Sequence, residues 1–187
     1  MTMTASLPSH TRGWTIDDLF ETPDDGNRYE LAGGSLLVTP PPNVSHGRAN
    51  IRLDRILSRA CPSGLVVASV GLGIDLGQRK TCYVPDTLVT TDAALNRDAQ
   101  VFVAADVSLV VEVLSPGNAR VDLILKRHDY GAAGIPQYWI VDIQRRTLTV
   151  LSDPCADGYK EEVVVKAGER WTASEPFPVT LDPAEFT

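Results

Sequence analysis

The sequence predicts an α/β fold, with a mixed β-sheet core flanked by helices and an N-terminal β-hairpin. A nearly continuous apolar run at Val107–Leu114 is typical of a strand that is covered on both sides. A helical pattern at Val121–Ala133 follows it, and Gln137–Asp142 is then a further strand, which gives a strand–helix–strand unit. The runs Tyr29–Leu31 and Ser35–Val38 flank two adjacent glycines, and this pattern predicts the hairpin.

The remaining elements follow from local signals. Thr15 can cap a short helix with an acidic first turn, and Ser45 can cap a longer one that runs to about Ala60 with its apolar side chains on one face. Three consecutive prolines at 40–42 end the second strand of the hairpin, because proline cannot donate to a ladder. Other predicted strands are Leu65–Ser69, Gly73–Leu76, Tyr83–Thr90, Thr147–Ser152 and Tyr159–Lys166.

The composition is that of a globular chain, with 187 residues of which 43% are hydrophobic and 22% charged. This length favours a single domain, over 14–187, behind a loose polar leader at 1–13. A net charge of −7 argues against a protein that coats DNA by bulk positive charge. Three scattered cysteines without a CxxC pair indicate reduced thiols in the cytoplasm, and no apolar stretch is long enough to predict membrane insertion.

Two acidic residues are the first candidates for chemistry. Glu112 interrupts the apolar run, where an unpaired carboxylate is expensive, so it meets a cation, is held neutral by hydrogen bonds, or lies at an open strand end. Asp86 follows Pro85 on a second strand-like segment. Carboxylates on adjacent strands repel, and one divalent cation relieves both. Oxygen ligands favour Mg²⁺ or Mn²⁺ over zinc.

The helix after Glu112 carries a third candidate group. Asp122, Lys126 and Tyr130 follow an i, i+4, i+8 spacing, which places them on one face of a helix. If this helix packs beside Glu112, Lys126 can reach the same site as a point charge for a phosphate or a water molecule. Alternatively, Asp122 and Lys126 form an ion pair on a solvated face, which contributes only a few tenths of a kcal/mol, roughly.

Four arginines form a stripe on the helix that begins near Ser45. Arg48, Arg52, Arg55 and Arg59 are spaced by four, three and four residues. Such a stripe is a candidate for contact with a phosphate backbone, which would give affinity but no sequence specificity. A solvated face that pairs with surface carboxylates accounts for it equally well.

An ordered set of motifs resembles a known family. The set is Tyr29-Glu30-Leu31, Pro40, His46, Pro85-Asp86, Val111-Glu112-Val113-Leu114-Ser115-Pro116, Asp122 with Lys126 and Tyr130, and Tyr138-Trp139-Ile140-Val141-Asp142. In this order it resembles the Uma-two-type restriction endonuclease family of the PD-(D/E)XK nuclease superfamily. The resemblance extends from about residue 14 to 186 and implies a restriction-endonuclease-like sheet that carries a nuclease site.

The resemblance also implies roles for individual residues. Asp86 and Glu112 would be metal ligands, with Glu30 and the carbonyl of Val113 completing the shell. The superfamily's lysine normally stands two residues after the acid, where this chain has Leu114, and Lys126 would be the migrated lysine. Supporting roles would fall to three further residues, namely His46, Asp122 and Tyr130.

The implied function is Mg²⁺- or Mn²⁺-dependent hydrolysis of DNA phosphodiester bonds. An alternative is a protein with the nuclease fold that binds nucleic acid or a partner without cleaving it, and a third is a soluble module whose carboxylate cluster is structural. A homodimer would match the two strands of a duplex, but no residue demonstrates one.

Overall fold

A computed structural model describes residues 12–69, 71–115, 117 and 119–187, so the predicted leader at 1–13 lies almost wholly outside the described residues. Its strands are β1 (Arg28–Ala32), β2 (Ser35–Thr39), β3 (Leu65–Ala68), β4 (Gly73–Gly77), β5 (Thr81–Tyr83), β6 (Thr87–Thr91), β7 (Val101–Val103), β8 (Val107–Val113), β9 (Gln137–Asp142), β10 (Thr147–Cys155), β11 (Gly158–Lys166), β12 (Trp171–Ala173) and β13 (Val179–Leu181). Its α-helices are α1 (Ile16–Leu19), α2 (Val44–Ala60), α3 (Asp92–Leu95) and α4 (Arg127–Ala132). None of the described helices is long and apolar enough to cross a membrane.

The predicted α/β class with a mixed sheet, flanking helices and an N-terminal hairpin is confirmed. The strands form a six-stranded sheet in the order β11-β10-β9-β8-β6-β3, a five-stranded sheet in the order β2-β1-β5-β4-β7, and a ribbon of β12 and β13. Each of the two larger sheets contains one parallel pair, β8 with β9 and β4 with β7, and is otherwise antiparallel.

The six-stranded sheet is covered on both faces, as the apolar run in β8 predicts. Alternate side chains of β8 belong to different cores, because successive residues of a strand point to opposite faces. Leu109 and Val111 pack in the core that includes Leu53 of α2. Val110 packs in the other core, which includes Tyr130 of α4. Glu112 shares the face of Val110, and this parity directs its side chain toward the helix that carries Lys126.

Two expectations about the strands were wrong. The strands form two larger sheets rather than one. The segment predicted as one strand over Tyr83–Thr90 is split into β5, which belongs to the five-stranded sheet, and β6, which belongs to the six-stranded sheet. Pro85 lies in the break and has no N–H to donate to a ladder. The chain passes from the five-stranded sheet to the six-stranded sheet at this point, and Asp86 lies in the connection between them.

The helices also differ from expectation in detail. Asn43, rather than Ser45, caps α2, because its side chain accepts a hydrogen bond from the backbone N–H of His46 at 2.9 Å. The helix predicted at Val121–Ala133 begins with a π-helical turn at Val121–Lys126 and continues as α4. Such turns are rare in proteins, and those that occur are often found at functional sites.

Candidate active site

A cavity of about 240 Å³ lies where the two larger sheets, α2 and the π-helical turn meet. Its walls bring together most of the predicted site residues. The lining includes Arg28, Glu30, the prolines at 40–42, His46, Asp86, Glu112, Val113, Asp122 and Lys126. The register of β6 with β8 pairs Thr87 with Val111, and its continuation brings Asp86 beside Glu112. The two acids are therefore neighbours across adjacent strands.

Asp86 is held by three donors. Its Oδ1 accepts a hydrogen bond from Arg28 Nη2 at 2.8 Å. Its Oδ2 lies 3.0 Å from His46 Nε2 and accepts a hydrogen bond from the backbone N–H of Val113 at 2.8 Å. Burial alone would raise the pKa of Asp86, but the hydrogen bond from His46 and the charge of Arg28 outweigh burial and lower this pKa below its ordinary value. Asp86 is therefore an ionised carboxylate at neutral pH.

Lys126 joins three carboxylates inside the protein. Its Nζ donates to Glu112 Oε1 at 2.8 Å and to Glu30 Oε1 at 2.9 Å, and it lies 3.5 Å from Asp122 Oδ1. The lysine is only 2% exposed. Burial acts to lower the pKa of Lys126, but Glu112, Glu30 and Asp122 together raise it above its ordinary value. The ammonium therefore remains charged and is not a proton acceptor at neutral pH.

The charges of the buried Glu112 and Asp122 carboxylates are only partly balanced by Lys126. Burial raises the pKa of Glu112 well above its ordinary value, and nearby carboxylates add to this effect while Lys126 opposes it. Burial likewise raises the pKa of Asp122, from 3.8 to about 6, against the opposing effect of Lys126. Tyr130 donates its hydroxyl hydrogen to Glu112 Oε1 at 3.1 Å. The buried tyrosine thus donates to the same oxygen of this carboxylate as Lys126.

The charge count fits a divalent cation. Four carboxylates line the cavity with one lysine and one arginine, so two negative charges remain when all four are ionised. Oxygen donors with a residual double charge suit a hard divalent cation such as Mg²⁺. In the part of the chain that the structure describes, no three His, Cys, Asp or Glu side chains stand in a metal-binding arrangement. Asp86 instead contacts Arg28 and His46, and Glu112 contacts Lys126.

Two residues that bind Asp86 were missed in the sequence. Arg28 donates to Asp86 and, through Nη1, to the carbonyl of Val84 at 3.0 Å. Asn50 donates through Nδ2 to the backbone carbonyl of Asp86 at 3.0 Å. Periodicity could have indicated both. Arg28 precedes Glu30 by two residues on a strand, and Asn50 follows His46 by four on a helix, so each shares a face with a predicted site residue.

The arginine stripe lies on a different face of α2. Arg48, Arg52, Arg55 and Arg59 are all exposed. They stand about 180–240° around the helix axis from His46, at 100° per residue, and so point away from the cavity. The structure does not bring them together with Asp86 and Lys126. Contact between the stripe and a phosphate backbone remains a prediction about a separate surface.

Comparisons with known proteins agree with this fold. A crystal structure described as that of "a putative nuclease belonging to DUF820 from Anabaena variabilis" is similar, with a TM-score of 0.73. The two chains are 18% identical, and the match covers 92% of this chain and 96% of the other. No curated protein matches the sequence. The sequence profile of the family described as "Uma2: Putative restriction endonuclease" matches residues 16–184. The predicted resemblance is thereby confirmed, and the chain belongs to the Uma2 family.

Proposed function

We propose that this protein is a Mg²⁺-dependent endonuclease that hydrolyses DNA phosphodiester bonds. Membership of the Uma2 family supports a hydrolase that acts on nucleic acid, and restriction-endonuclease-like proteins generally use divalent metal ions. The observation that carries the finer proposal is the arrangement of Asp86, Glu112 and Lys126 around one cavity. Two acids can hold a divalent cation, and a buried ammonium can stabilise the negative charge that develops on the phosphate.

Asp86 and Glu112 would hold the cation, with the carbonyl of Val113 and Glu30 as further candidate ligands. When bound, Mg²⁺ would polarise the scissile phosphate and lower the pKa of a water molecule. Arg28 and His46 contact the oxygens of Asp86 and would hold this carboxylate in place. Arg28 would also offer a positive charge to a phosphate oxygen at the same wall of the cavity.

Lys126 supplies a fixed positive charge. Because three carboxylates keep it protonated, it would orient the attacking water and stabilise negative charge on the pentacovalent phosphate, rather than remove a proton. Tyr130 holds Glu112 in position, and Glu30 holds Lys126 in position. The arrangement is preorganised, so little reorganisation is needed when charge develops.

The first experiment is cleavage of plasmid DNA with Mg²⁺ or Mn²⁺. We expect cleavage by the wild type and its loss in Asp86→Asn, Glu112→Gln and Lys126→Ala. Ser152→Ala is a control for surface substitution, because Ser152 contacts Glu161 far from the cavity. Cleavage that survives in all three site variants would refute the site. A parallel assay on RNA of the same sequence tests whether DNA is the substrate.

A nuclease-fold protein that binds nucleic acid or a partner without cleaving it is the alternative. The net charge of −7 and the position of the arginine stripe away from the cavity favour this reading over a tight DNA-binding enzyme. It predicts no cleavage by the wild type. A rise in melting temperature with Mg²⁺ that disappears in Asp86→Asn would still support a metal site.

The role of the stripe is tested by salt dependence. If Arg48, Arg52, Arg55 and Arg59 contact phosphates, their replacement by alanine should reduce the slope of log affinity against log salt by roughly 0.9 per lost contact. An unchanged slope would assign them to a solvated face.

We further propose that 14–187 forms one domain and that the protein works in the cytoplasm, which its three free cysteines support. A homodimer that cuts both strands of a duplex is also proposed. Sedimentation with and without DNA would test the dimer.

A further inference from the structure

A second cavity, of about 500 Å³, adjoins the candidate active site. The two cavities share Arg28 and the three prolines at 40–42 as a common wall. On the active-site side, the guanidinium of Arg28 meets Asp86 at 2.8 Å. The second cavity therefore lies on the other side of this wall from Asp86. We call it the Phe20 cavity.

The Phe20 cavity has apolar walls with a few polar groups. Phe20 follows α1 and is 47% exposed, although aromatic side chains of this size are usually buried. Tyr29 is half-buried on the same lining, and its hydroxyl donates to Asp25 Oδ2 at 2.9 Å. The apolar lining also includes Leu72, Cys82, Val84 and Val101.

Two amide side chains stand among these apolar groups. Asn27 keeps its carbonyl oxygen available, because its described side-chain bond uses Nδ2, which donates to Asp25 at 3.0 Å. Gln100 is exposed and makes no side-chain hydrogen bond to any described residue. Amide groups can donate and accept, so they match the edges of nucleobases.

One wall of the cavity is closely packed. A Cβ on Gly73 would lie 2.5 Å from Cys82 Sγ, so β4 and β5 are in close contact and leave no space for a side chain. Only this wall is built of packed strands, because most of the other lining residues belong to the segments 19–27, 40–42 and 71–72.

We propose that the Phe20 cavity binds one unpaired base of the substrate strand, on a nucleotide next to the scissile phosphate. This inference rests on the proposed nuclease function. The volume is in the range of small-molecule pockets, the walls are apolar and aromatic, and the cavity adjoins the candidate active site across the wall of Arg28 and the prolines at 40–42. A stacked, paired base cannot enter such a pocket, so the substrate strand is single or locally opened there. Phe20 provides the stacking surface.

The test uses binding, so it does not depend on cleavage. The affinity of the wild-type protein for deoxyadenosine 5′-monophosphate is compared with its affinity for 2-deoxyribose 5-phosphate, which lacks the base, by isothermal titration calorimetry. We expect the nucleotide to bind roughly tenfold more tightly, since stacking on an aromatic side chain is of this order. Phe20→Ala should remove this advantage and leave the affinity for the sugar phosphate unchanged, whereas Phe20→Tyr should retain it.

Val164→Ala is the matched control, because Val164 is 49% exposed on β11 and does not line the cavity. Equal affinities of the wild type for the two ligands would overturn the proposal, as would an equal effect of Phe20→Ala on both, or no measurable binding of the nucleotide. Base-dependent binding by a protein that fails to cleave any nucleic acid would refute the nuclease function and leave the base site standing.

Discussion

The Lys126 ammonium donates to Glu112 Oε1 at 2.8 Å, although fourteen residues separate the two in sequence. The acid belongs to β8 of the six-stranded sheet, and the same ammonium also binds Glu30 on β1 of the five-stranded sheet. The Lys126 ammonium therefore links the two larger sheets and neutralises part of the charge of the carboxylates around it. Stability and the proposed chemistry depend on the same atoms.

Replacing Lys126 by methionine should destabilise the protein by about 3–5 kcal/mol. The substitution keeps much of the side-chain volume but leaves buried carboxylates without their cation. Lys160→Met is the control, because Lys160 pairs with Asp153 at 3.1 Å with 61% of its side chain exposed, and we expect a change below about 0.5 kcal/mol. Urea unfolding measures both values. A loss for Lys126→Met as small as that of the control would contradict the buried ion cluster.

Asp122 should make the protein less stable as the pH rises from about 4 to about 6. Its pKa is raised by burial from 3.8 to about 6, so in this window the native state holds a proton that the unfolded chain has released. Unfolding then releases a proton, and a higher pH favours it. The wild type should therefore lose about 2 kcal/mol relative to Asp122→Asn across the window. Urea unfolding at several pH values measures this difference, and a constant difference would disprove the assignment.

Asn50→Ala should reduce the rate of cleavage and lower stability by about 1–3 kcal/mol. Asn50 donates to the Asp86 carbonyl at 3.0 Å and accepts from the buried Thr87 hydroxyl at 2.7 Å, so its loss leaves both groups without this partner. The matched control is Asn96→Ala, since Asn96 donates to the Asp92 carbonyl at 2.8 Å on the surface. We expect kcat to fall in Asn50→Ala with KM nearly unchanged. A pure rise in KM would instead indicate that Asn50 contacts substrate.

Gly131→Ala and Gly47→Ala should have opposite effects. A Cβ on Gly131 would lie 2.0 Å from the carbonyl oxygen of Gly158, so α4 would have to move away from β11, at a cost of about 1–3 kcal/mol or more. Gly47 lies in α2, and apart from its own turn of the helix no atom of the described residues would lie within 4 Å of the added carbon, so alanine should stabilise the helix by about 0.5–1 kcal/mol. Thermal unfolding compares the two. Equal shifts would show that α4 is not held by this contact.

Much of the fold could be predicted because it follows from local pattern. The apolar run in β8 required cover on both faces, and the hairpin of β1 and β2 required glycines at its turn. The division into two sheets could not be predicted, because strand partners are chosen by long-range contacts. The segment from Tyr83 to Thr90 has the composition of one strand, and only the pairing of its two halves with different sheets shows the break at Pro85.

The site was partly predictable for a related reason. Glu112 was conspicuous because a carboxylate among apolar residues needs a partner, whereas Arg28 is indicated only indirectly, by sharing a strand face with Glu30. The predicted face of Asp122, Lys126 and Tyr130 rested on α-helical spacing. Its first half is instead a π-helical turn, and Lys126 nevertheless lies 3.5 Å from Asp122.

Because of this π-helical turn, the position of Lys126 depends on the number of residues in the turn as well as on their types. A π-helical turn closes hydrogen bonds between residues five apart, so it is equivalent to one residue inserted into an α-helix. Leu123, Ile124 and Leu125, which form its middle, are each at least 36% exposed and so supply length more than packing. Deleting one of them would keep every charged group of the cluster. It would also change the spacing of Asp122 and Lys126 from four residues to three, and rotate the segment before the turn relative to α4.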